Sequence, residues 1–77
     1  MTTPIFQLVR QIENDDIGLR TMRLVTKLGV RTVEGLAEYS AAYIRTQTAD
    51  SEAVVDVLAE LLTTQYQLTF AETYKPR

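Results

Sequence analysis

The sequence predicts an all-α, single-domain fold: a small bundle of three to four helices with a long C-terminal helix, on three observations. The only prolines are Pro4 and Pro76, so ring geometry forbids helix nowhere between them. No sustained apolar–polar alternation and no Asn-Gly or Asp-Gly pair marks strands or a hairpin. Apolar residues recur instead at three- and four-residue spacing in segments of about 4–13, 16–28, 33–46 and 51–73, within one domain over residues 1–77.

The first segment is expected to start at Thr3, whose hydroxyl can cap free amides, with Pro4 at the first helical position, where its missing donor costs nothing. Ile5, Leu8, Val9 and Ile12 then share one face. Asn14-Asp15-Asp16 reads as a break and a new N-cap, its charge well placed at the positive end of a second helix from about Asp16 to Leu28. Whether these are two helices or one bent helix stays open at this level. Gly29 marks the end: it can adopt the left-handed conformation that closes a helix while Val30 packs back on Val25, and Lys27 suits the dipole.

Thr32 or a neighbour caps the third segment, whose narrow seam is Val33, Leu36, Ala37, Ser40 and Ile44, with Glu34, Glu38 and Arg45 facing water. Asp50 or Ser51 is the expected cap of the last helix, with Glu52 in its first turn. Val54, Val55, Val57, Leu58, Leu61 and Leu62 spread over roughly 160° of circumference, wider than a helix with one neighbour needs, so this helix is expected at the centre. Asp56, Glu60, Thr63 and Gln67 take the opposite face. Beyond Thr64 the pattern weakens, because Gln65 and Glu72 fall within the apolar face while Tyr66, Phe70 and Tyr74 drift to its edge. Either the helix fades there or it meets a different neighbour.

Composition bears on function by exclusion. The 77 residues include no histidine, cysteine or tryptophan, which removes the commonest general base, the thiol nucleophile and the strongest metal ligands. The expectation is a non-enzymatic protein with no cofactor and no metal. The carboxylate pairs Glu34/Glu38 and Asp56/Glu60 have no other ligand type beside them and read as solvated faces. Asp50-Ser51-Glu52 reads as a cap, since a catalytic serine needs a base that the chain lacks. The three glycines are isolated, so there is no phosphate loop. Lack of cysteine fits a reducing compartment, hence a cytoplasmic expectation; no signal peptide and no transmembrane segment is recognised. So short a chain buries only roughly 60% of its unfolded surface, which favours a homodimer or another partner.

Charge is uneven. Residues 1–31 carry five bases and three acids, +2, and residues 32–77 carry three bases and seven acids, −4, which together give the net −2. Arg20, Arg23, Lys27 and Arg31 form a basic ridge, and no acid occurs from Ile17 to Val33. The ridge suits an acidic protein surface or a nucleic-acid backbone, or else is plain solvated charge. The overall acidity and the lack of interleaved aromatics disfavour nucleic acid. A helix-turn-helix over residues 17–46 would carry Glu34 and Glu38 near the start of its recognition helix, which repels DNA.

Tyr39 and Tyr43 flank the third seam, and Tyr66, Phe70 and Tyr74 are expected to form a helical ladder where the apolar face runs out. Residues 33–74, rich in alanine, glutamate, glutamine and leucine with a Phe-Ala-Glu end, resemble in composition the amphipathic helices of phasins, the polyhydroxyalkanoate-granule proteins; no function is carried over from that resemblance. The function expected is that of a helical protein-interaction module, a small accessory regulator or inhibitor that occludes a larger protein. Its partner-binding residues would be Arg20, Arg23, Lys27, Arg31, Tyr66, Phe70 and Tyr74. The alternative is a nucleic-acid-associated regulator using the ridge.

Overall fold

Asn14 starts the first long helix, because its Oδ1 accepts from the amides of Asp16 at 2.9 Å and Ile17 at 3.2 Å and satisfies two donors that a helix start leaves open. The computed structural model describes residues 2–48 and 51–72. Its elements are α1 (Ile5–Val9), α2 (Asp15–Leu28), α3 (Val33–Ala37), α4 (Ala41–Arg45) and α5 (Ser51–Tyr66). The fold is all-α, and among the described residues the only β pairings are two isolated bridges. The first two helices are separate, with Asn14 extended between them.

α2 ends as expected. Gly29 takes φ 72°, its amide donates to Thr26 C=O, and the Val30 amide donates to Val25 C=O at 2.9 Å, the paired bonds of a Schellman close. On its inner side Thr21 is fully buried among apolar residues, and its hydroxyl donates to Ile17 C=O at 2.8 Å, so no orphan polar atom enters the core.

The start of α1 departs from expectation. Thr3 does not cap it; Pro4 occupies the cap position without a side-chain bond, and the helix begins at Ile5. Thr3 serves the next loop instead, its carbonyl accepting from Val33 and its amide donating to Glu34 Oε1 at 2.7 Å. Ile5 N–H donates to Arg31 C=O at 2.9 Å, so Pro4 pairs with Thr32 at a position where the bonds come from the flanking residues and no Pro4 amide is needed.

The Thr3 amide holds the Glu34 carboxyl below the ordinary glutamate range, with Glu34's own amide adding to the effect. A lowered folded-state pKa contributes stability that is complete above the unfolded value, about 4.3, and disappears as pH falls through the lowered one. We expect the urea midpoint of the wild type to exceed that of Glu34→Gln at neutral pH and the gap to close on acidification through that window. A gap independent of pH would show that Glu34 does not anchor the N-terminal segment.

The expected helix over 33–46 is two helices. Ser40 is extended at φ −90°, ψ 152°, and its Oγ accepts from the Tyr43 amide at 3.0 Å, so it caps α4 and ends the run from α3. A serine hydroxyl offers the backbone this alternative to helix, and here the alternative prevails. The carbonyls freed at the break are taken up from a distance: Ala71 N–H donates to both Ala37 and Tyr39 C=O at 3.1 Å, and Ser40 pairs in parallel with Ala71.

Correspondingly, α5 stops at Tyr66 and does not run to residue 73. Gln67 adopts φ 57°, the Leu68 amide reaches back to Leu62 C=O at 2.8 Å, and residues 67–71 leave as an extended strap. Along the strap Leu68 and Phe70 are half-buried against the core while Gln67 and Thr69 are exposed, a period of two. Ser51 is the first residue of α5, and the capping role considered for Asp50 lies outside the described residues.

α5 packs on both α2 and α4, and α1 packs on α2 and α3, so the last helix has two helix neighbours, as its wide apolar arc requires, and shares that number with α1 and α2. The core comprises Ile5, Leu8, Ile12, Ile17, Leu24, Val25, Val33, Leu36, Ile44, Val54, Val55, Leu58 and Leu62. One chain closes around these residues. The radius of gyration of 11.1 Å is near the roughly 11.5 Å of a compact chain of this length.

Candidate protein-docking face

The face of α2 turned away from the core carries the basic ridge. Arg23, Lys27 and Arg31 are exposed, and among the described residues no ion pair engages their side chains. Arg20 is placed differently: it is half-buried and its Nε meets Asp16 Oδ2 at 3.4 Å, one turn back on the same helix. Three of the four ridge cations therefore present their charge outward while Arg20 neutralises the acidic first turn.

Beside the ridge lies an apolar surface absent from the sequence-level site. Phe6 is 57% exposed and Leu19 51% exposed, the two large hydrophobic side chains left open among the described residues. Phe6 and Met22 wall a groove of about 360 Å³ between α1 and α2, completed by Pro4, Thr26, Val30 and Arg31 over a floor of Ile5 and Val25. At 100° per residue Leu19 stands roughly 60° from Met22 on one side and 40° from Arg23 on the other. The patch thus runs from Phe6 through Met22 to Leu19 with basic side chains along its edge. The signal was present in the sequence: Leu19 lies roughly 180° from the buried arc of Ile17, Thr21, Leu24 and Val25, a leucine on the polar side of its helix.

The aromatic ladder is not formed. Tyr66 is the last residue of α5, half-buried, and its hydroxyl accepts from Gln11 Nε2 at 2.7 Å, tying α5 to the turn after α1. Phe70 sits on the strap against the core, and Tyr74 lies outside the described residues. Tyr39 and Tyr43 stack at 5.5 Å with planes 18° apart across the α3–α4 junction. Intramolecular packing thus already uses Tyr66 and Phe70, the rings of the expected ladder that lie within the described residues.

The acidic side of the molecule is built separately. Arg45 Nε pairs with Glu52 Oε1 at 2.9 Å, Asp56 and Glu60 are exposed on α5, and Glu34 of the Glu34/Glu38 pair is engaged by Thr3. Glu13 and Glu60 line a cleft of about 380 Å³ with Gln11 and Asn14, and among the described residues no three carboxylates converge as metal ligands would. Comparison with protein-family models, with curated proteins and with solved structures returns no match. The fold and the site together define an all-α domain that displays a mixed apolar and basic helical face. Among the described residues, no helix is long and apolar enough to cross a membrane.

Proposed function

We propose that the chain is a non-catalytic protein-interaction module, a small accessory regulator or inhibitor that binds and occludes a larger protein in the cytoplasm. The observation that carries this reading is the exposure of Phe6, on a groove that Met22 and Arg31 also line, together with that of Leu19, which stands between Met22 and Arg23 around α2. Apolar side chains at the centre of such a face supply affinity on desolvation, and the surrounding charge supplies encounter rate and orientation. Arg20, Tyr66 and Phe70 belong to the support of this face and of the core, since each has a partner within the chain. The face also suits a different protein better than a second copy. A two-fold contact through it would bring two basic rims together, which like-charge repulsion opposes.

The test is capture from a nuclease-treated lysate of the native source on the wild-type chain, on Leu19→Asp and on Arg23→Glu/Lys27→Glu. A specific protein held by the wild type and lost by both variants is the expected result. Binding that survives Leu19→Asp unchanged rejects this face, and bound material that vanishes with nuclease moves the reading to the nucleic-acid alternative.

A further inference from the structure

Resting on that reading, we infer that the α1–α2 groove takes an acidic amphipathic helix, about three turns long, which places a bulky apolar side chain between Phe6 and Met22. Four observations define the occupant. The groove is lined mainly by apolar side chains, and its volume of about 360 Å³, at the small end of the range for pockets, has room for a bulky apolar anchor.

Among its lining residues Ile5 N–H donates to Arg31 C=O, Val30 N–H donates to Val25 C=O, Met22, Val25 and Thr26 lie inside α2 and Pro4 has no amide, so at most isolated donors, not a row, are left for an extended peptide to pair with. An occupant must satisfy its own backbone, and a helix does so. From Leu19 to Val30 the open face extends about 16 Å along α2 and its close, at roughly 1.5 Å per residue, which matches about three turns of a partner helix.

Charge sets its composition and its direction. Arg31 lines the groove beside Val30, and Arg23 stands next to Leu19 on α2 with Lys27 one turn further on, while Asp15 and Asp16 occupy the start of the helix, where Arg20 answers Asp16. The partner's carboxylates therefore belong at the end of the groove beside Arg31, flanking the anchor, with the apolar contact to Leu19 one to two turns away. A basic amphipathic helix of the same shape meets Arg31 in the groove and Arg23 beside Leu19, so the site selects against it as well as for its acidic counterpart.

The test uses the full chain, labelled with 15N, and three synthetic helical peptides of about 15 residues, roughly four turns. One carries leucines at three- and four-residue spacing among glutamates, the second has lysine for every glutamate, and the third has alanine for every leucine. Fluorescence anisotropy should show the glutamate–leucine peptide binding at least about tenfold more tightly than either of the others, a preference of ~1.4 kcal/mol, and weakening with added salt. Amide shifts should gather at Phe6, Leu19, Met22 and Val30. Leu19→Asp and Arg23→Glu/Lys27→Glu/Arg31→Glu, checked for unchanged helical circular dichroism, should each lose about tenfold or more, as expected for core or multiple rim positions of an interface.

Equal binding of the acidic and basic peptides, or shifts gathered on α4 and α5, overturns the inference. So does failure of the acidic peptide when a lysate protein is still captured through Leu19, and in that case the interaction module stands with a partner of other chemistry. A duplex oligonucleotide that displaces nothing yet shifts Arg23, Lys27 and Arg31 more strongly than the acidic peptide also overturns it. Self-association detected by light scattering and abolished by Leu19→Asp would assign the groove to a second copy instead.

Discussion

Leu58→Ala is expected to lower the unfolding free energy by about 3–5 kcal/mol, the upper part of the range for leucine truncation in a packed core. Leu58 is fully buried near the middle of α5, and α5 is the helix that both α2 and α4 pack against. Removing its isopropyl group leaves a void in the core, and helices joined through short turns have little freedom to close it. A chain of 77 residues has a total stability of about 4–12 kcal/mol, so the loss takes a large share and the variant should begin to unfold far earlier in urea. Leu19→Ala is the matched control: with half its side chain already in water, it should change stability by less than about 1 kcal/mol. Urea unfolding followed by circular dichroism checks both, and equal effects at the two positions would reject the burial of Leu58 in the core.

Phe70→Ala should cost about 1.5–2.5 kcal/mol, roughly half the loss for a fully buried phenylalanine, because the half-buried ring holds the strap on the core. The change by itself does not separate a strap from a longer helix, since a ring packed on a helix would also be missed. Gln67→Gly separates them by sign. Gln67 has φ 57°, a left-handed conformation that costs a side chain about 1–2 kcal/mol and glycine almost nothing. In the strap arrangement glycine should therefore stabilise the chain by a few tenths to about 1 kcal/mol, allowing for its extra unfolded-state freedom. In a helix continuing through residue 67 it would destabilise by about 1 kcal/mol. A lowered urea midpoint for Gln67→Gly would thus restore the long helix and the aromatic ladder.

The helical phase was legible because burial follows local periodicity. Ile5, Leu8, Ile12, Val33, Leu36, Ile44, Val54, Val55, Leu58 and Leu62 were placed on apolar faces by spacing, and all are buried. The basic ridge was also legible, since three- and four-residue spacing on a known helix is geometry. Its apolar companion was not read, although Leu19 and Phe6 stood out of phase with their helices. A single exposed leucine is ordinary on a protein surface. It becomes a site only when α1 brings Phe6 beside Met22, and that proximity follows from the α1–α2 packing.

What the sequence by itself determined is the all-α class, the Gly29 close of α2 and a cap within Asn14-Asp15-Asp16, and the core residues of the other helices. Each rests on interactions within a few residues, where spacing and side-chain chemistry suffice. The tertiary structure alone decided that Thr3 serves Val33 and Glu34 rather than capping α1, that the third helix breaks at Ser40, and that α5 yields to a strap at Gln67. Helix propensity and a single cap differ between such alternatives by about 1 kcal/mol or less. Ala71 donating to Ala37 and Tyr39, or Ile5 donating to Arg31, tips that balance only once folding has brought together residues far apart in the chain.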